Sequence, residues 1–240
     1  MSAGPETLVR TARGAMLYDA SRSGQLDERV FDREHWRALG ALEETAGGRG
    51  TVAFVHQGTR RWVLRHYRRG GLVARLLDDV YLWTGADRTR AFREWRLLQS
   101  LRDAGLPVPS PVAARYARAG LGYRADLITE ELPTRLTVAR ALASAPLAPA
   151  TWRAIGACVG RLNAHGVQHA DLNAHNLLLG LESAVYVVDF DRGRLRARGA
   201  WEQRVLGRLH RSLQKVTIGL PPDRFDDAAW NTLLEGCANA

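Results

Sequence analysis

Three side chains set at short intervals could together carry out phosphoryl transfer. The stretch His169-Ala170-Asp171-Leu172-Asn173-Ala174-His175-Asn176 runs into the apolar Leu177-Leu178-Leu179, and Val187-Val188-Asp189-Phe190-Asp191 follows shortly after. Moving a phosphoryl group onto a hydroxyl asks for a carboxylate that orients the attacking oxygen. It also asks for oxygen ligands, drawn from more than one place, that hold a divalent ion against the phosphates. Asp171 can be the carboxylate, and Asn176 and Asp189 the metal ligands. Asp189 follows the β-branched Val185, Val187 and Val188, so it is expected just past the end of a buried strand. Leu177 to Leu179 would be the partner strand and Gly180 to Ser183 the turn, which sets Asn176 and Asp189 side by side over one metal site.

The elements that must position these groups fit a chain of 240 residues with 46% hydrophobic and 25% charged content. That is enough for one two-lobed domain or two small ones with a sizeable core. No apolar run approaches the ~18 residues of a membrane-spanning helix. Met1 to Arg13 contains Glu6 and no continuous apolar segment, so no signal peptide is expected and a cytosolic location is. The formal charge of +9 is carried almost wholly by arginine, Lys215 being the sole lysine, and it favours anionic partners such as nucleotides or phosphorylated lipid headgroups. Charge alone would also suit a nucleic acid, but no helix-turn-helix, zinc-finger or RNP-like string supports one, and none is expected as a partner. Cys158 and Cys237 form no metal or redox motif, and Cys158 falls in a helical segment as a core thiol.

Taken together, the motifs resemble those of kinases. Asp171 and Asn176 have the D-x-x-x-x-N separation of a kinase catalytic loop, and Asp189-Phe190 resembles D-F-G, with Asp191 in place of the glycine and Ala170 in place of the H-R-D arginine. Asp191 at that position puts D-F-G-type switching in doubt. Gly48-Arg49-Gly50-Thr51-Val52-Ala53 resembles a Gly-rich loop, in which Gly48 and Gly50 let backbone N–H groups approach phosphate. In Trp62-Val63-Leu64-Arg65, Arg65 stands where kinases carry a phosphate-binding lysine; it keeps the charge and adds a planar fork. Glu94, on a helix expected from Asp87 through Leu101, would pair with Arg65. Leu127-Ile128-Thr129-Glu130-Glu131-Leu132 resembles the hinge that holds adenine, with Glu130 and Leu132 as the nucleotide-side residues.

Residues 1–40 read as an N-terminal extension in which Asp32 caps a short helix, 41–132 as an N-lobe and 133–240 as a C-lobe with the catalytic loop. The expected fold is α+β and protein-kinase-like: an antiparallel sheet plus helix in the first lobe, and a reduced, mainly helical second lobe. Further helices are expected from Leu72 to Trp83, from Thr137 to Ala150, from Trp152 to near Gly166, from Trp201 to Val216 and around Trp230. The segment 68–85, basic at one end and aromatic at the other, reads either as an acceptor or membrane-surface element or as a helix covering the sheet. The 49 residues after Asp191 leave no room for the platform on which protein kinases dock peptides.

Val63 to Gly71, Asp79-Val80-Tyr81-Leu82-Trp83, Arg93-Glu94-Trp95 and above all His169 to Asn176 resemble the 3-deoxy-D-manno-octulosonic acid (Kdo) kinases of lipopolysaccharide core synthesis, over roughly residues 50–215. This resemblance implies ATP-dependent phosphorylation of the Kdo 4-hydroxyl of Kdo-lipid IVA, with ATP and Mg2+ as cofactors and Asp171 as the catalytic residue. It also implies a peripheral place on the anionic cytoplasmic face of the inner membrane. The rival readings are another sugar acceptor (a lipopolysaccharide heptose or an aminoglycoside), a basic nucleic-acid-binding protein, a non-catalytic nucleotide binder, and a transition-metal site at His165, His169, His175 and Asp171. An aminoglycoside site should be acidic, whereas the surroundings of Asp191 are basic (Arg192, Arg194, Arg196 and Arg198).

Overall fold

The computed structural model describes residues 6–43, 52–68 and 79–240. It divides into two compact units, one formed by Met1–Ser100 with Ser110–Glu131 and the other by Leu101–Pro109 with Leu132–Ala240. Gly48 and Gly50 lie outside the described residues, as does most of the helix expected from Leu72 to Trp83.

The first unit is built on an antiparallel sheet. Its elements in chain order are β1 (Thr7–Thr11), β2 (Gly14–Tyr18), α1 (Ala20–Ser23), α2 (Arg33–Ala38), β3 (Leu42–Glu43), β4 (Val52–Gln57), β5 (Arg60–His66), β6 (Tyr81–Leu82), α3 (Arg90–Asp103), β7 (Pro111–Ala119) and β8 (Gly122–Glu130). The strand order is β1-β2-β7-β8-β5-β4-β3, and β6 pairs separately with β8. Alternation along β5 explains how the sheet is covered on both faces. Trp62 and Leu64 are buried with Ala53 and Val55 of β4 in a core that also takes Met16, Tyr18, Val30, Phe31, Trp36, Val112, Ala113 and Ile128. Arg65 alternates to the other face, where it meets Glu94 of α3.

Residues 1–40 are expected as an extension, but the described part of that stretch, 6–40, belongs to this unit: β2 pairs with β7 in register Tyr18↔Ala113 to Gly14↔Ala117, and every β2 residue after Gly14 is buried. Asp32 caps α2 by accepting from Glu34 N at 2.9 Å, and Trp36 Nε1 donates to the Val30 carbonyl at 2.8 Å. Tyr81 and Leu82, expected at the end of a helix, instead form strand β6. Their partners Tyr123 and Gly122 on β8 supply ladder bonds, and the Tyr81 and Tyr123 rings meet at 5.7 Å.

The second unit contains β9 (Thr134–Thr137), α4 (Val138–Ser144), α5 (Pro149–Ala164), β10 (Val167–Gln168), β11 (Leu177–Gly180), β12 (Val185–Val187), β13 (Arg194–Leu195), α6 (Trp201–Val216) and α7 (Asp227–Ala238). The stretch expected as one helical linker from Thr137 to Ala150 is divided. Thr137 caps α4 through a bond from Arg140 N, while Pro149 opens α5 at its first turn. Val138 and Leu142 are fully buried, so α4 is a core helix. Trp152, Ile155, Val159 and Leu162 make the buried stripe of α5, as their spacing predicts, and Trp201, Val205, Leu209 and Leu213 make that of α6.

Helices α5 and α7 approach closely because glycines line their contact. A Cβ at Gly156 would collide with the Leu233 carbonyl, one at Gly160 with that of Cys237, and one at Gly236 with that of Arg153. Cys158, in the same helix, is fully buried, and burial pushes its thiol up to about 12.

Candidate active site

Helix α5 ends at Ala164, and Gly166 turns the chain with a φ of 77° that glycine alone adopts without penalty. A side chain at Gly166 would also strike the Arg196 carbonyl. Short strand β10 pairs with β13 and leads into the loop 169–176. Anchoring and exposed residues are interleaved in that loop. His169, Leu172 and Ala174 are buried, whereas Asp171 and His175 face outward. Ala174 is tied on both sides, its N–H donating to Ser212 Oγ of α6 at 3.1 Å and its carbonyl accepting from Ala139 N of α4 at 3.0 Å. Within the loop, Asn173 donates to the Asp171 carbonyl at 2.8 Å and accepts from His175 N at 2.9 Å.

His169 braces this arrangement. Its Nδ1 accepts from Asp171 N at 3.2 Å, so its Nε2 carries the proton and donates to the Val188 carbonyl at 3.0 Å. Burial lowers its pKa, which keeps the ring neutral. With both nitrogens committed to the backbone, His169 is not available as a transition-metal ligand, and His165 and His175 are exposed. Among the described residues, no cluster of three or more His, Cys, Asp or Glu is arranged to hold a metal ion.

The hairpin expected after the loop is present. Strands β11 and β12 pair in register Leu177↔Val187, Leu178↔Tyr186 and Leu179↔Val185. Beyond them Val188 N donates to the Asn176 carbonyl at 3.0 Å, which puts Asn176 opposite the residue before Asp189. Asn176 Nδ2 donates to the Asp171 carbonyl at 3.0 Å, which orients the amide so that its Oδ1 is the end able to accept or ligate. Asp189 takes a left-handed backbone with φ 65°, and Arg192 does the same at 64°. For residues other than glycine this costs about 1–3 kcal/mol and persists where the surroundings hold it. Phe190, fully buried against the His169 ring at 4.8 Å, and the bond from Gly193 N to its carbonyl at 2.7 Å supply that hold.

In the first unit Arg65 and Glu94 form an ion pair. The Glu94 carboxylate is almost wholly buried and also accepts from the Tyr67 hydroxyl, while the Arg65 guanidinium lies over the Tyr67 ring, 4.7 Å from its centroid. Tyr67 was not singled out from the sequence, although its place two residues beyond Arg65, just past the end of β5, carried the signal. Glu130 ends β8, its N–H donating to the Ser110 carbonyl at 2.9 Å, and Glu131 N donates to the Arg61 carbonyl at 2.9 Å. Leu132 opens the longer segment of the second unit, and its carbonyl accepts from Thr134 N at 2.7 Å. Arg65, Glu94 and Glu130 thus belong to the first unit, and Leu132, Asp171, Asn176 and Asp189 to the second.

A further residue at the site is Arg208 of α6, whose Nη1 donates to Asp171 Oδ1 at 2.6 Å. Its position 37 residues along the chain gave no local signal.

Residues 33–236 match the model of the lipopolysaccharide kinase (Kdo/WaaP) family, a match that extends past both ends of the stretch where the resemblance was legible. A protein of Stenotrophomonas maltophilia (strain R551-3) named 3-deoxy-D-manno-octulosonic acid kinase is 44% identical over 205 residues, covering 85% of this chain and 81% of that one. Relatives with the same name from Xanthomonas campestris pv. campestris (strain B100) and Vibrio parahaemolyticus serotype O3:K6 are 46% and 37% identical. They cover 85% and 87% of this chain, and 81% and 88% of their own lengths. An exposed carboxylate on a braced loop, a hairpin that brings up two side-chain oxygens, and a match over most of the sequence agree: the chain belongs to the lipopolysaccharide kinase (Kdo/WaaP) family and is a phosphotransferase that acts on a hydroxyl group.

Proposed function

We propose that the protein transfers the γ-phosphoryl group of ATP to the 4-hydroxyl of the Kdo residue of Kdo-lipid IVA, at the cytoplasmic face of the inner membrane. The observation that carries this reading is the exposed Asp171 carboxylate, held on a loop whose neighbouring residues are buried and hydrogen-bonded, in a chain similar to relatives named for the Kdo acceptor. Asp171 orients the acceptor hydroxyl and accepts its proton as the oxygen attacks the γ-phosphorus. A new O–P bond forms, the bond to the β–γ bridging oxygen breaks, and ADP leaves with that electron pair.

Arg65, fixed by Glu94 and Tyr67, has the charge and fork to steady the phosphates. Gly48 and Gly50 are the residues of the phosphate loop, and Glu130 and Leu132 those beside the adenine. Asn176 and Asp189 fit magnesium. Both offer hard oxygen donors, the amide of Asn176 is oriented by its bond to Asp171, and a small donor set suits an ion that keeps several waters. When bound, magnesium neutralises charge that develops on the phosphate oxygens. The net charge of +9 suits an acceptor bearing phosphates and a carboxylate, and an anionic bilayer surface. Among the described residues no helix is long and apolar enough to cross a membrane.

Transfer of label from [γ-32P]ATP by the purified protein tests the reading. Label on Kdo-lipid IVA, with none on heptosylated lipopolysaccharide or aminoglycosides, is expected. Label on either of the latter alone overturns the acceptor assignment.

A further inference from the structure

The reaction described above makes no use of Arg208. It projects from α6 onto Asp171, and the two side chains remain 51% and 59% exposed. An ion pair so open to water contributes at most about 1 kcal/mol to stability, so stability does not account for its place. The placement is nevertheless well defined. One turn further along α6, Ser212 holds the catalytic loop through Ala174, and Leu209 and Leu213 are fully buried on the opposite side of the helix. Arg204, Arg211 and Lys215 are exposed at helical spacing from Arg208, so one face of α6 is a basic stripe. A single nitrogen, Nη1, meets a single oxygen, Oδ1, of Asp171. The rest of the guanidinium fork is not spent on that carboxylate and has the geometry to take another.

We propose that Arg208 is a specificity-determining residue that binds the carboxylate of the acceptor while Asp171 receives the proton of its hydroxyl. The inference rests on the reading of the acceptor as Kdo and deepens it. In a 3-deoxy-octulosonic acid, the carbon bearing the carboxylate and the carbon bearing the 4-hydroxyl are separated by the single deoxy carbon. A group that grips the acid therefore has to sit beside the group that handles the hydroxyl, as Arg208 sits beside Asp171. The acid of the acceptor also competes with Asp171 for the guanidinium. A sugar that carries it draws Arg208 away and frees Oδ1, whereas one that lacks it leaves Arg208 holding the base. Recognition of the acid and release of the base thereby become one event.

The test compares kcat/KM of the full chain on Kdo-lipid IVA and on the same acceptor with its Kdo carboxylate converted to the methyl ester, for wild type, Arg208→Gln and Arg208→Lys. Esterification is expected to cost the wild type about 10–100-fold, the range of a charge-assisted hydrogen bond. Arg208→Gln is expected to lose a similar factor on the acid and to treat acid and ester alike within about threefold, with Arg208→Lys between the two. A residue that only props Asp171 would not move the acid-to-ester ratio. Equal losses on both acceptors, or a wild type indifferent to esterification, overturn the proposal while leaving the Kdo assignment standing. Absence of transfer to the acid by the wild type refutes that assignment and the inference with it. Should Arg208→Gln fold poorly by thermal melt, Arg208→Lys carries the same comparison.

Discussion

Asp171 shows how an exposed side chain is made precise without being buried. Its carboxylate is more than half exposed, yet its own N–H is held by His169, its carbonyl by Asn173 and Asn176, and Ser212 holds the loop through Ala174. Asp171→Asn should therefore leave the fold intact while removing the proposed proton acceptor and its ion pair with Arg208. Turnover is expected to fall by about 10²–10⁴-fold, the usual range for a positioned acid or base, with KM for ATP little changed. Steady-state transfer assays and a thermal melt check this, and unchanged turnover would strip Asp171 of its role. Its type and its separation from Asn176 were legible in the sequence. Its partner Arg208 was not, because an α-helix that returns to a loop from a distance leaves no trace in local spacing.

Hydrophobic periodicity located α3, α5, α6, α7 and the β11–β12 hairpin, since each buries one face against a neighbour and must show it in sequence. The close approach of α5 and α7 was not visible, because a glycine within a helix reads as weak propensity until its neighbour is known. Gly156→Ala puts a methyl group into the Leu233 carbonyl. Overpacking of this kind costs about 1–3 kcal/mol, more than the modest gain in helix propensity offsets. A lowered melting temperature of the second unit is the expected outcome. An unchanged or raised one would mean that the two helices separate without penalty.

Two histidines give the molecule opposite responses to pH in its two units. In the first, His66 on β5 meets Asp126 Oδ1 at 2.7 Å and Asp79 Oδ2 at 3.3 Å, and those carboxylates also pair with Arg115 and Arg124. The hydrogen bond to Asp126 raises the His66 pKa above its ordinary 6.5. Its stabilisation is full below pH 6.5 and is lost as pH rises through the folded value. In the second unit burial holds His169 below 6.5 despite Asp189 and Asp171 nearby, so its contribution is full above 6.5 and is lost as pH falls toward the folded value. Hydrogen exchange across pH 5.5–8.5 should show β5 and β8 losing protection with rising pH, while β11 and β12 lose it with falling pH. His66→Gln should abolish the first trend alone. Parallel trends in the two units would contradict the assignment.

The order of the chemical groups along the chain followed from residue type and interval: a carboxylate, an amide five residues on, and a second carboxylate after a β-branched strand, with a cation and a glutamate upstream. Those are local properties, written into the chain by alternation and helical period. The joining of residues 7–18 to the sheet, the bracing of His169 by Val188, the Tyr67 hydroxyl on Glu94 and the arrival of Arg208 at Asp171 came from the folded chain. Each depends on which distant surfaces pack together, and packing between distant segments is selected by shape and burial, which no short window of sequence encodes.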